Sequence, residues 1–234
     1  MTEKELTDIT LATAAKRIKS GDLSPIELTE LMLARIKRLN PELVAYVTIA
    51  YEEALADARA AEREIRTGQY RGALHGIPLS IKDNIATRGI RTTAGSKVLK
   101  DYVPDYDATV VARLKEAGAV ILGKSNMHEW ANGGTTINPF YGTTRNPWDT
   151  ERIAGGSSGG SAAGLAASLS LGSIGTDNGG SVRNPASLCG VVGFKPTFGR
   201  VSRFGHIPEN GGFSTNHVGV FSKTVRDCTL ILET

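Results

Sequence analysis

Hydrophobic and polar positions fall into two regimes along this chain. Up to about residue 70 the apolar residues recur at helical spacing. Leu11, Ala14, Ala15 and Ile18 share one face of a predicted helix over 10–20. Ser24-Pro25-Ile26-Glu27 predicts a second start, with Ser24 as cap, Pro25 at the first helical position and Glu27 completing a capping box. Leu28, Leu31, Met32, Arg35 and Leu39 carry that helix on, and Asn40-Pro41 is expected to end it. Residues 51–66 predict a third helix, rich in Ala and Glu and stopped by Gly68. None of these helices carries candidate chemistry, so residues 1–70 are expected to form an N-terminal helical packing layer.

From Leu74 the pattern changes to short buried runs between glycines. Residues 75–83, HGIPLSIKD, predict a turn running into a strand whose end, Lys82-Asp83-Asn84, is polar. Asp107 is expected to cap a helix over 108–117, closed by Gly118. Residues 119–122 predict a buried strand, followed by Gly123-Lys124-Ser125. That strand–helix–strand order implies an α/β sheet with crossover connections over residues 71–234. Residues 132–152 are expected to be a long loop. A small-residue helix over 160–169 and a strand over 171–175 follow. The turn Gly179-Gly180-Ser181 then enters a helix-like segment to Leu188, and 191–195 predict another strand. Residues 224–234 open an amphipathic helix with no evident cap.

Composition narrows the classes. At 234 residues the chain can bury a sizeable core without disulfides or metal. A net charge of +3 with no run of five basic residues gives no nucleic-acid footprint. Cys189 and Cys228 lack C-x-x-C spacing and read as free thiols in a reducing compartment. The charged N-terminus has no apolar signal core, and no apolar run approaches the roughly 20 residues that span a bilayer. A cytoplasmic protein without membrane contact is therefore expected. Four scattered histidines, no H-E-x-x-H and neither of the two glycine-rich phosphate-binding patterns argue against a metal or nucleotide cofactor.

The candidate chemistry lies between Ile153 and Pro196. Eleven of the chain's 27 glycines fall from Gly155 to Gly193, framing Ser157, Ser158, Ser161, Thr176 and Ser181. Such glycine density marks backbone that turns at positive φ or is approached closely. Consecutive glycine N–H groups beside Ser181 can form an anion-binding nest next to a nucleophile. Taken singly, the pieces have plainer readings. Ser181 can be an N-cap after a glycine turn, Ser157 and Ser158 a solvated loop or helix cap, and Lys82 a solvated strand-end lysine. A buried Lys82 would differ, because desolvation lowers a lysine pKa and frees the amine to act as a base. One rival arrangement also fits. Gly155-Gly156-Ser157-Ser158-Gly159 matches G-x-S-x-G, with Asp177 and His206 following in the order of an α/β-hydrolase triad. That motif needs a buried strand just before it, and the polar run 148–154, WDTERIA, does not supply one.

Four segments together resemble the amidase signature family. They are LHGIPLSIKDN at 74–84, GGSSGGSAA at 155–163, GTDNGGSVRNPA at 175–186 and CGVVGFKPTFGRVS at 189–202. The separations of 75 residues from Lys82 to Ser157 and 24 from Ser157 to Ser181 agree as well. The resemblance implies a mixed central sheet flanked by helices and an amidase with a Ser–cis-Ser–Lys triad. In that triad Ser181 is the nucleophile, Ser157 the bridging serine with a cis peptide bond, and Lys82 the general base. It implies an oxyanion hole from the N–H groups of Asn178, Gly179, Gly180 and Ser181, with Ser158, Asp177 and Arg183 in support. No metal or cofactor is implied. The substrate is a small-molecule amide.

Some positions depart from the family pattern. Asn178 stands where Thr or an apolar residue is usual. The stretch Ser214-Thr215-Asn216-His217-Val218-Gly219-Val220 replaces S-x-D-x-x-G-P, losing an acid at Asn216 and a proline at Val220. The chain is about half a usual member's length, which implies a truncated N-terminal half lacking further strands and much of the acyl pocket. Two classes follow. One is an amide hydrolase whose catalytic portion is this chain. The other is an inactive or assembly-dependent module, a homo-oligomer or one partner of a completing chain, including the amidase subunit of a tRNA-linked glutamine amidotransferase. The loop from Asn126 to Thr143 resembles general amidases more than that subunit.

Overall fold

The computed structural model describes residues 1–207 and 215–234. Ser214 of the departing stretch therefore lies outside the described residues. Helices α1 (Glu3–Asp8), α2 (Leu11–Ser20), α3 (Pro25–Leu43) and α4 (Tyr51–Arg66) open the chain. Ser24 caps α3 as expected, its hydroxyl accepting from the N–H groups of Ile26 and Glu27 at 3.1 Å. Glu27 does not complete the box, because its carboxylate accepts instead from the Met1 ammonium at 2.7 Å. Nor does Pro41 end the helix. It sits in the last turn, where few later hydrogen bonds remain to be lost, and α3 runs on to Leu43. Leu28, Met32, Leu33 and Ile36 face inward and are buried, each contributing about 1.5–3 kcal/mol of apolar burial.

The N-terminal span is not helical throughout. Tyr46–Ile49 forms strand β1, too short to show a period in the sequence, and joins the main sheet. That sheet has six strands in the order β1-β3-β2-β6-β8-β7, with β2 at Pro78–Lys82, β3 at Val120–Ser125, β6 at Gly172–Asp177, β7 at Val192–Phe194 and β8 at His217–Ser222. β2 runs parallel to both β3 and β6, whereas β1, β7 and β8 pair antiparallel. The sheet is therefore mixed, flanked by helices that include α5 (Thr109–Glu116), α6 (Gly159–Ala166), α7 (Arg183–Cys189) and α8 (Val225–Leu232). One apolar cluster runs from Leu6 through the N-terminal helices and the sheet to Ile231. A smaller one joins α6 and α7 to Phe221.

Several local expectations change. Asp107 does not cap α5. Its carboxylate accepts from the Arg88 N–H at 2.8 Å and from the Lys115 ammonium, and Ala108 occupies the cap position. Thr224 caps α8 through the Asp227 N–H at 3.1 Å. The 132–152 loop ends in a two-stranded hairpin of β4 (Arg145–Asn146) and β5 (Asp149–Ile153). So a strand does precede Gly155, but it is largely exposed and pairs only with β4. The buried strand that a nucleophile elbow requires is still missing. No described helix is long and apolar enough to cross a membrane.

Glycine decides how closely α6 approaches the sheet. A Cβ on Gly175 would lie 2.6 Å from the Phe221 ring and 3.0 Å from Ser158 Oγ. The bare backbone of β6 thus lets Ser158 and the loop before α6 rest on the ends of the central strands.

Candidate active site

Lys82 ends β2, which like β3, β6 and β8 is buried at every position. Its side chain is wholly buried. Burial lowers its pKa well below that of a free lysine, and the negative charge of Asp177 only partly opposes this. Lys82 Nζ donates to Thr176 Oγ1 at 2.8 Å and Thr176 O at 3.4 Å, and stands 2.7 Å from Ser157 Oγ. Thr176 is the adjoining residue on β6, and its hydroxyl also accepts from Asn84 Nδ2 at 3.3 Å. A neutral amine has two N–H donors and one lone pair. Three oxygens thus lie around Nζ, and the polarity of the Ser157 contact follows the charge on the amine: an ammonium donates to all three, whereas a neutral amine gives its two N–H groups to Thr176 and turns its lone pair to the Ser157 hydroxyl.

Ser157 is buried and follows a cis Gly156–Ser157 peptide bond. Its carbonyl accepts from the His128 N–H at 3.0 Å. Ser158 donates its hydroxyl to Thr176 O at 3.2 Å, and its N–H donates to the Ser181 carbonyl at 3.3 Å. That last bond sets the Ser181 turn directly against the Ser157–Ser158 loop. Among the described residues Ser181 Oγ has no hydrogen-bond partner. The structure therefore forms the Lys82–Ser157 contact and places Ser181 beside it without a Ser157–Ser181 bond.

Asp177, at the end of β6, shapes the turn. Its carboxylate accepts from the N–H groups of Gly180 (2.8 Å), Val182 (3.0 Å) and Arg183 (3.3 Å), and from Arg183 Nε (3.1 Å) and Nη2 (2.9 Å). Burial alone would raise its pKa, but the Arg183 guanidinium and the three amides outweigh it and bring it down to about 2. One consequence touches the four candidate oxyanion donors. The Gly180 N–H is committed to Asp177, whereas those of Asn178, Gly179 and Ser181 have no partner among the described residues. Asn178 uses its side chain elsewhere, accepting from the Thr215 hydroxyl.

The rival triad does not assemble. His206 is buried, and burial together with the charges of Lys82 and Arg203 pushes its pKa down to about 4. Its Nε2 has no partner among the described residues, Asp177 is paired with Arg183, and Ser157 faces Lys82.

A second buried lysine, to which the sequence pattern gives no role, lies one strand away. Lys124 Nζ donates to Ile85 O, to Thr87 Oγ1 at 3.0 Å and to Thr92 Oγ1 at 2.9 Å. The buried Asp83 carboxylate accepts from the Thr93 hydroxyl and from the N–H groups of Thr93 and Gly95. Burial pushes both toward their neutral forms, the Asp83 carboxyl up and the Lys124 amine down, while each partly offsets the other. Three oxygens surround Nζ of each lysine, and what differs is their identity: Lys82 touches the Ser157 hydroxyl, whereas Lys124 is held by the Ile85 carbonyl and two threonine hydroxyls of the neighbouring loop. The signal the two share is an apolar strand ending in lysine, LSIK and VILGK. Among the described residues no group of three or more His, Cys, Asp or Glu could hold a metal ion.

Comparison with known proteins places the whole chain in a family. The family model described as Amidase matches residues 27–234. The chain is 48% identical over 228 residues to a glutamyl-tRNA(Gln) amidotransferase subunit of Syntrophus aciditrophicus, covering 97% of this chain and 46% of that one. Native peptide amidase from Stenotrophomonas maltophilia superposes with a TM-score of 0.91 at 42% identity, over 96% of this chain and 47% of that one. The corresponding glutamyl-tRNA(Gln) amidotransferase subunit of Thermotoga maritima gives 0.83 at 40% identity, over 100% and 48%. The chain thus spans about half the length of these relatives. With a family model over most of its length and relatives 40–48% identical over nearly all of it, the chain belongs to the amidase family.

Proposed function

We propose that this chain carries the catalytic machinery of an amide hydrolase, with Lys82 as base, Ser157 as relay and Ser181 as nucleophile. The observation that supports it is the wholly buried Lys82 amine, whose pKa burial lowers and whose Nζ stands 2.7 Å from the Ser157 hydroxyl; in its neutral form it has a lone pair for that hydroxyl's proton. Lys82 takes the Ser157 proton while Ser157 takes that of Ser181, and Ser181 Oγ adds to the amide carbonyl carbon. Free hydroxyl rotors commonly close such links only when substrate is bound. The N–H groups of Asn178, Gly179 and Ser181 receive the oxyanion, and each such donor contributes on the order of 10²–10³ in turnover. As the C–N bond breaks, the relay returns the proton to the leaving amine. Water then attacks the Ser181 ester, losing its proton to the same relay, and the acid is released. This is Ser–Lys triad logic on a small-molecule amide, with no metal or cofactor in any step. Ser158, Asp177 and Arg183 support the turn rather than react.

A fluorophosphonate probe tests the reading. Labelling that is lost in Ser181→Ala and in Lys82→Ala is the expected result. Labelling that survives Ser181→Ala refutes the nucleophile.

A second reading is that activity depends on assembly. Its support is the outer side of β7, which pairs with no other strand among the described residues and lies next to exposed Phe194, Phe198 and Leu188. A homo-oligomer or a completing chain would cover that edge. Folded protein that fails to label alone, but labels once a completing chain is co-expressed, would support it, and light scattering would reveal a homo-oligomer. The identities do not separate a general amidase from part of a tRNA-linked amidotransferase. Assay against a panel of aliphatic, aromatic and amino-acid amides that includes glutamine does so.

A further inference from the structure

We infer that Thr136 is a positioning residue for Ser157, acting through its hydroxyl. Thr136 is wholly buried and lies at φ 54°, in the left-handed region. A β-branched residue is a rare occupant there, because its branched Cβ crowds the backbone. Glycine or asparagine would sit in that backbone with less crowding. What threonine adds is the hydroxyl, and it is fully used. Thr136 Oγ1 donates to the Gly155 carbonyl at 2.7 Å and accepts the Gly159 N–H at 3.0 Å. One oxygen therefore bridges the two residues that bracket the Gly156–Ser157–Ser158 loop. The Ser157 carbonyl itself lies 3.4 Å away.

The surrounding chain has the same arrangement. A Cβ on Gly156 would fall 2.7 Å from the Thr135 nitrogen and 2.9 Å from that of Thr136, so residues 134–136 lie directly against the loop. The Thr144 N–H holds the Thr136 carbonyl at 3.1 Å, and the His128 N–H holds the Ser157 carbonyl at 3.0 Å. Ser157 is thus fixed on its main-chain side by residues 128 and 136, leaving its hydroxyl turned to Lys82. Without the bridging hydroxyl the loop keeps its packing but loses the bonds that set its height above Lys82.

The inference rests on the proposed role of Ser157, and its test includes a readout that does not. Thr136→Ser keeps the hydroxyl. Thr136→Val keeps the shape and loses it, and Thr136→Gly loses it while relieving the crowded backbone. In the proposed hydrolase, labelling of Ser181 by the probe should slow at least 30-fold in the Val and Gly variants, with probe affinity within threefold of wild type. Thr136→Ser should stay within threefold in both. Independently of any activity, exchange of the Gly159 amide hydrogen, followed by NMR, should be at least tenfold faster in Val and Gly than in Ser and wild type. Unchanged exchange in both hydroxyl-free variants overturns the clamp, as does equal loss in Ser and Val. Faster exchange with unchanged labelling keeps the clamp and overturns its coupling to Ser157. If wild type does not label at all, it is the hydrolase reading that fails, and the exchange result still decides whether the clamp exists.

Discussion

Replacing Lys82 with methionine should leave the fold intact and remove a pH dependence of its stability. The side chain is wholly buried with no carboxylate in contact, and burial lowers its pKa well below 10.5. Between that lowered value and 10.5 the unfolded chain carries one more proton than the folded one. The sign follows from linkage: wild-type stability rises with pH across this window, by up to about 1.4 kcal/mol per pH unit, and falls away as the pH drops toward the folded value. Methionine fills nearly the same volume and does not titrate. Thr176 Oγ1 keeps its bond from Asn84 Nδ2, whereas the buried Ser157 hydroxyl loses Lys82, its one hydrogen-bond partner among the described residues, at a cost that does not vary with pH. Urea unfolding of both proteins at pH 7, 8 and 9 isolates the contribution, since every other group is common to the two. Stability of wild type minus that of Lys82→Met should grow with pH, by up to about 1.4 kcal/mol per unit, and the variant should not react with a fluorophosphonate probe. A difference independent of pH would mean that Lys82 is an ammonium in the folded protein, and the neutral-base reasoning would be wrong.

Arg183→Ala should move acid unfolding to higher pH. The Asp177 carboxyl, held down to about 2, stabilises the fold fully above its ordinary 3.8 and loses that contribution as the pH falls toward 2. The loss in the variant should be about 1 kcal/mol at neutral pH, discounted for the half-exposed guanidinium, and acid titration by circular dichroism reads it. Gly175→Ala should cost about 1–3 kcal/mol, because the new methyl would meet Phe221 and Ser158, and a thermal melt compared with an exposed-glycine control checks this. Lys124→Met should cost about 1–3 kcal/mol by leaving the buried Ile85 carbonyl and the Thr87 and Thr92 hydroxyls without their donor and by removing the positive charge that acts on Asp83. Adding Asp83→Asn should recover part of that loss, and a double-mutant cycle from urea melts would show it.

What the sequence determined by itself was whatever short-range chemistry controls. The Ser24 cap, the glycine after α4, the apolar faces of α2 and α3 and the buried strands around Leu79 and Ile121 all follow from residues within a few positions of one another. The family motifs were equally legible, because the residues that must meet in the site lie in compact, unusual strings. Tertiary structure decided the rest. β1 is only four residues long and is a strand because β3 lies beside it, and Pro41 stays in α3 because the helix is already ending there. Lys82 and Lys124 close similar apolar runs, yet one is held by a loop carbonyl and two loop threonines and the other touches a serine 75 residues away. Which N–H groups beside Ser181 are free depends on Asp177 taking the one from Gly180. Local backbone preference and burial act over a turn or a strand and leave a mark in the sequence, whereas protonation and hydrogen-bond choice depend on neighbours that only folding brings within about 3 Å.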